Sequence, residues 1–138
     1  MQISRRDTLL MGLGAAVAAA IPVRAAANAD AAIEAFTGGA QAGAEGITLI
    51  APEIAENGNN VPVSVEAPGA EVITIFTTAN PEATVGTFSF GPLSGVQLAS
   101  TRIRLAETQD VIAIAKMADG SFLRASQEVK VTIGGCGG

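Results

Sequence analysis

The residue best equipped for chemistry is Cys136, the only cysteine of the chain, and it stands between two glycine pairs, Gly134–Gly135 and Gly137–Gly138, at the end of 138 residues. A thiolate is both a nucleophile and a leaving group, so a cysteine can take up sulfur through an S–S bond and release it again by exchange. Glycines have no Cβ, favour no single backbone well and resist confinement to a helix or strand. The five residues are therefore expected to form a flexible tether, reaching roughly 17 Å when extended at about 3.4 Å per residue. Hydrogens in place of side chains also keep this arm thin enough to enter a narrow channel in another protein. The plainer reading is an inert cysteine on an accidental tail. Against it stands the fact that a free cysteine is usually buried.

The rest of the composition limits what Cys136 can do alone. There is no His in the sequence, which removes His-based acid–base catalysis, the usual triads and most zinc sites. No Lys or Arg adjoins Cys136 in sequence. An ordinary thiol, with a pKa of about 8.5, is only a few per cent thiolate at neutral pH, so activation has to come from partners. A nucleophile on an arm has no preorganised oxyanion site either. The expectation is a carrier rather than an enzyme, with no catalytic residues, no metal and no cofactor. With a net charge of −5 and no basic run interleaved with aromatics, nucleic-acid binding is not expected. A single cysteine cannot close an internal disulfide; it leaves a free thiol, a mixed disulfide or a homodimer cross-linked through Cys136.

Positioning falls to what precedes the arm. Arg5 and Arg6, the apolar run Leu9 to Val23, and Arg24 followed by Ala25, Ala26 and Ala27 have the three parts of an export signal. The adjacent arginines suit the twin-arginine route, although Thr8 stands where an aromatic is usual. The apolar run is too short and weak for a membrane span, and no membrane association is expected. Gly12, Leu13 and Gly14 imitate a dinucleotide loop but follow no strand and lack the third glycine. Removing residues 1–27 takes away Arg5, Arg6, Arg24 and Asp7, which moves the net charge from −5 to −7. The expected product is an acidic periplasmic domain of residues 28–133 followed by a carrier arm, 134–138.

Asp30 to Phe36 reads as a short helix, with Asp30 as N-cap, Ile33 and Phe36 on one face and Gly38–Gly39 as the stop. Beyond it the apolar period becomes two. Seven segments follow, 47–50, 61–65, 72–76, 85–90, 96–105, 111–117 and 122–133, separated by turn pairs such as Pro68–Gly69, Asn80–Pro81 and Asp119–Gly120. Asp119–Gly120 is the clearest hairpin signal. Seven short strands without intervening helices predict an all-β fold, an immunoglobulin-like antiparallel β-sandwich with one short N-terminal helix. The last strand aims the arm. The polar turn Glu56 to Asn60 and the pair Arg102 and Arg104, which alternation places on one face, are candidates to frame its exit; the arginines suit an anionic ligand or acidic partner, or else are only a solvated face.

The export signal, the run Ala55 to Asn59 before Val61–Pro62–Val63, the pair Asn80–Pro81, the segment Thr101 to Ala106 and above all the terminal VKVTIGGCGG, Val129 to Gly138, resemble the SoxY family of sulfur carriers in bacterial thiosulfate oxidation. The resemblance covers essentially the whole mature chain. It implies a periplasmic subunit paired with a SoxZ-like subunit as a heterodimer, its terminal cysteine, here Cys136, holding the sulfur substrate covalently. It further implies transient partners: a haem-containing SoxAX-like cytochrome that couples thiosulfate to the cysteine, a SoxB-like hydrolase that releases sulfate, and a sulfane dehydrogenase for the remaining sulfur where one is present.

Two other classes compete. A ubiquitin-like sulfur carrier would activate the carboxylate of Gly137–Gly138, but needs ATP and a β-grasp fold, against the export signal and the nearly all-β pattern. The alternative is a structural periplasmic β-sandwich binding module dimerised through Cys136; reduction would abolish its function, whereas a carrier is active when reduced.

Overall fold

The apolar runs of the middle of the chain pair into two sheets, and the computed structural model, which describes residues 24–134, shows how they stack. Numbered in chain order, the strands are β1 (Ala42–Gly43), β2 (Thr48–Ile50), β3 (Ile54–Ala55), β4 (Val61–Glu66), β5 (Ala70–Thr77), β6 (Thr84–Ser89), β7 (Leu98–Ile103), β8 (Gln109–Met117) and β9 (Phe122–Val131), preceded by the helix α1 (Arg24–Thr37). The larger sheet runs β1-β9-β8-β5-β6, with β3 also on β9; the smaller runs β2-β4-β7. All seven expected strands are present, and the β-sandwich is as expected.

Two features differ from the sequence reading. First, β1 and β3 lie outside the seven apolar segments, and both pair with β9 in parallel, so the architecture is not purely antiparallel. Each is two residues long, too short to carry a periodic pattern. Second, α1 starts well before Asp30, which is an exposed residue of the helix interior rather than its N-cap. Its end is where the sequence put it: Gly38 N–H donates to the Glu34 carbonyl at 2.7 Å and Thr37 Oγ1 to the Ile33 carbonyl at 2.9 Å.

The core lies on both sides of the larger sheet. In β4, Val61, Val63 and Val65 alternate inward and are buried; they meet Ile73 and Ile75 of β5 and Val111, Ala113 and Ala115 of β8. On the opposite face of the same strands, Phe76, Ile112 and Ile114 pack with Phe122 under α1. Phe36 closes that layer, its ring 6.0 Å from Phe76 and 5.7 Å from Phe122, tilted and edge-on respectively, the geometry aromatic quadrupoles favour. Strands covered on both faces read as continuous apolar runs rather than alternating ones, which explains Val111–Ala115.

The β8–β9 hairpin forms at Asp119–Gly120. Gly120 N–H donates to the Met117 carbonyl at 3.0 Å, and Met117 N–H to that of Ser121 at 2.8 Å. Gly120 sits at φ +87°, a region a Cβ disfavours. This turn sends β9 back along the whole length of β8 and so fixes where the chain leaves the body.

Candidate functional site

Of the arm residues singled out by sequence, Gly134 is described; Gly135, Cys136, Gly137 and Gly138 lie outside the described residues, as does the export signal Met1 to Val23. The site that the structure shows is the root from which the thiol-bearing segment departs.

That root is bonded on both flanks. Lys130 N–H donates to the Glu53 carbonyl at 2.9 Å and Thr132 N–H to the Ala55 carbonyl at 3.1 Å, so the 53–56 stretch runs beside the end of β9. Thr132 Oγ1 reaches the Glu56 carbonyl at 3.0 Å. On the other flank, Val131 N–H donates to Thr108 Oγ1 at 2.9 Å. The Ile133 carbonyl accepts from Gly58 N–H at 2.7 Å, and the Gly58 carbonyl in turn accepts from Leu105 N–H at 2.8 Å. The polar turn therefore does frame the exit: Gly58 bridges the last described residues to the loop after β7.

Gly134 then passes the backbone of that loop. A Cβ at this position would overlap the Ala106 carbonyl oxygen, so the residue is glycine for close approach, whatever freedom its neighbours have. Ala106 itself is held by a buried amide pair that the sequence did not single out as a unit. Asn80 Oδ1 accepts from Ala106 N–H at 3.0 Å and from Gln109 Nε2 at 2.8 Å, while Asn80 Nδ2 donates to the Arg104 carbonyl at 2.7 Å. Gln109 Oε1 accepts from the N–H groups of Ala79 and Asn80, at 2.9 and 3.0 Å, and its Nε2 also donates to the Glu107 carbonyl at 3.0 Å. Asn80 and Gln109 are both buried, and every one of these polar groups is satisfied, as burial requires. Asn80 was legible only as a turn marker before Pro81; Gln109 carried no signal.

Arg102 and Arg104 are both exposed, with buried Ile103 between them, so they do share a face. They line a shallow cleft of about 270 Å³ together with Asn80, Glu82, Thr84, Val85 and Ile103. Among the described residues no group of His, Cys, Asp and Glu could hold a metal ion, and no helix there is long and apolar enough to cross a membrane.

Fold and root together define an immunoglobulin-like β-sandwich whose last strand, fastened on both flanks, hands the chain to a short cysteine-bearing end. The chain belongs to the SoxY family: the family model described as sulfur oxidation protein SoxY matches residues 33–136, a span that closes on Cys136. It is similar to the structure of the sulfur carrier protein SoxY from Chlorobium limicola f thiosulfatophilum, at 40% identity and a TM-score of 0.67, over 78% of this chain and 99% of that one. The sandwich is also similar to a superoxide reductase (neelaredoxin) from Ignicoccus hospitalis, at 18% identity and a TM-score of 0.55, over 62% of this chain and 79% of that one; this likeness is one of fold. No curated protein matches the chain.

Proposed function

We propose that this chain is a periplasmic sulfur carrier of thiosulfate oxidation, holding its cargo on Cys136 and presenting it to partner enzymes rather than catalysing a reaction itself. The observation that carries this reading is a SoxY family match that extends to Cys136, on a fold whose final strand is fastened just short of that residue. Residues 1–27 serve as a twin-arginine export signal, 28–133 as the body, and Gly134, Gly135, Gly137 and Gly138 as the glycines of the arm. A SoxZ-like subunit pairs with the body as a heterodimer.

The chemistry needs only a thiolate. A SoxAX-like cytochrome would join Cys136–S⁻ to thiosulfate, forming one S–S bond with the loss of two electrons, which its haem chemistry would take up one at a time; the product is Cys136–S–S–SO₃⁻. A SoxB-like hydrolase adds water, breaks the bond to the terminal sulfonate and releases sulfate and two protons, leaving Cys136–S–S⁻. A sulfane dehydrogenase oxidises that outer sulfur where the enzyme is present. Throughout, the thiol exchanges S–S bonds, as sulfur readily does, and the partners supply activation and redox centres.

Intact-mass analysis of the exported protein tests this. Wild type loaded by its partners is expected to gain sulfur and sulfonate mass that reductant removes, and Cys136→Ser to gain none while keeping its fold and its partner subunit. Adducts on the Ser variant would refute the assignment to Cys136, and activity that reduction abolishes would favour the dimeric binding module instead.

A further inference from the structure

We propose that the cleft between β6 and the end of β7 is an anion site for a sulfonate-type sulfur oxyanion, held by Arg102 and Arg104. The proposal rests on the carrier reading above and names a ligand site on the body for it.

In an acidic chain, these two guanidinium groups stand out by what they lack. Among the described residues neither forms an ion pair, and the two side chains make one hydrogen bond between them, from Arg102 Nη1 to Asn60 Oδ1 at 3.2 Å. This bond orients the Arg102 guanidinium without neutralising it. Among the described residues the Arg104 side chain has no hydrogen-bond partner, but its backbone is fixed, because its carbonyl accepts from the buried Asn80. The exposed Glu82 carboxylate shares the cleft, so two positive charges face one negative charge and the lining carries a net charge of +1. Thr84 adds a hydroxyl to the same lining. The cleft's 270 Å³ is ample for a group the size of a sulfonate. Guanidinium is the side chain suited to such a group, being permanently charged and presenting a planar fork of N–H donors to paired oxygens.

Position ties the cleft to the arm. Asn80 lines it and, through Oδ1, also holds Ala106 N–H; the Ala106 carbonyl is what Gly134 abuts. Ala106 lies two residues beyond Arg104, and Cys136 two residues beyond Gly134. Each step is about 7 Å of extended chain, about 14 Å together. The long Arg104 side chain and a cysteine adduct can bridge that span between them, but it exceeds the screening length of about 8 Å at physiological ionic strength, so only an adduct seated in the cleft gains from its charge. A sulfonate carried at Cys136 that seats in the cleft meets two guanidinium groups, whereas a neutral adduct of the same length gains nothing from them.

The test uses the exported mature chain with any subunit that co-purifies. With tetrathionate, the Cys136 thiolate attacks a central sulfur, the central S–S bond breaks, and thiosulfate leaves with the electron pair; Cys136–S–S–SO₃⁻ remains. Methyl methanethiosulfonate gives the neutral Cys136–S–S–CH₃ and releases methanesulfinate. The Nε–H resonances of Arg102 and Arg104 are expected to move with the sulfonate adduct and stay in place with the methyl one. Dithiothreitol should then release the sulfonate adduct several-fold faster from Arg102→Gln/Arg104→Gln than from wild type. A titration of thiosulfate onto Cys136→Ser separates the sources: saturable movement of the same two resonances there supports a site that also takes the free ion. The site is overturned by equal movement with both adducts, by no movement with either adduct or free thiosulfate, or by release rates that the double substitution leaves unchanged. The charged and neutral adducts are compared in wild type, so the test survives a poorly folding variant. Because the adduct is installed chemically, docking without any partner-dependent loading would sink the carrier reading and leave this site standing.

Discussion

Gly134 looks in the sequence like one of four equivalent spacers, and the structure gives it a contact that no Cβ could tolerate. A methyl group there would occupy the place of the Ala106 carbonyl oxygen; with backbone on both sides, one segment has to move. Gly134→Ala is expected to cost about 1–3 kcal/mol, the usual range for forcing atoms into filled space, and Gly91→Ala, where a Cβ meets nothing within 4 Å, to leave stability nearly unchanged. Urea melts of the two variants check this, and equal midpoints would remove the distinction. Asn80 is a second residue whose importance lies in contacts the sequence could not display. Asn80→Ala strands the Arg104 carbonyl, the Ala106 N–H and one Gln109 N–H, for an expected loss of about 3 kcal/mol given the cost of buried groups left unpaired. Thermal unfolding measures it. An Asn before a Pro announces a turn from local sequence; that its amide joins residues 104, 106 and 109 is a long-range fact. By contrast, Cys136 stood out as the candidate site on type and neighbours alone.

At the level of elements, legibility followed pattern length. The strands of six residues or more were visible because period-two alternation or an apolar run has room to repeat, and the three-residue β2 because it lies in the apolar run 47–50. β1 and β3 were invisible because two residues held by backbone bonds leave no trace in side-chain type. The β8–β9 turn was the most readable connection, and its polar chemistry makes a pH prediction. The Ser121 hydroxyl and N–H donate to Asp119 Oδ1 at 2.5 and 2.9 Å. These bonds favour the ionised form and hold the carboxyl below its ordinary value of 3.8. With the folded-state pKa depressed, the contribution to stability is complete above about 3.8 and disappears as pH falls through the folded value. Asp119→Asn should therefore melt below wild type at neutral pH and together with it in stronger acid. The group is fully exposed, so the gap is small, and a gap that widened on acidification would contradict the cause given.

For the whole molecule, the two arginines near the start and the sulfur at the far end belong to one proposal. Replacing Arg5 and Arg6 together by Lys is expected to leave the chain in the cytoplasm, where cell fractionation followed by intact-mass analysis should find it without partner-derived sulfur. Normal recovery from the periplasm would show that export does not depend on that pair. The pairing along β9 has one more outcome for the assembled protein. Ala42–Gly43 cover its first residues and Ile54–Ala55 its last, while Arg124 and Glu128 put charge on the stretch between. An uncovered flank there would be a template for a second copy to add on, bringing two thiols side by side for oxidation. Short plugs at both ends leave neighbouring molecules little of that ladder to pair with, so crowded copies are not drawn together along the strand that leads to the arm.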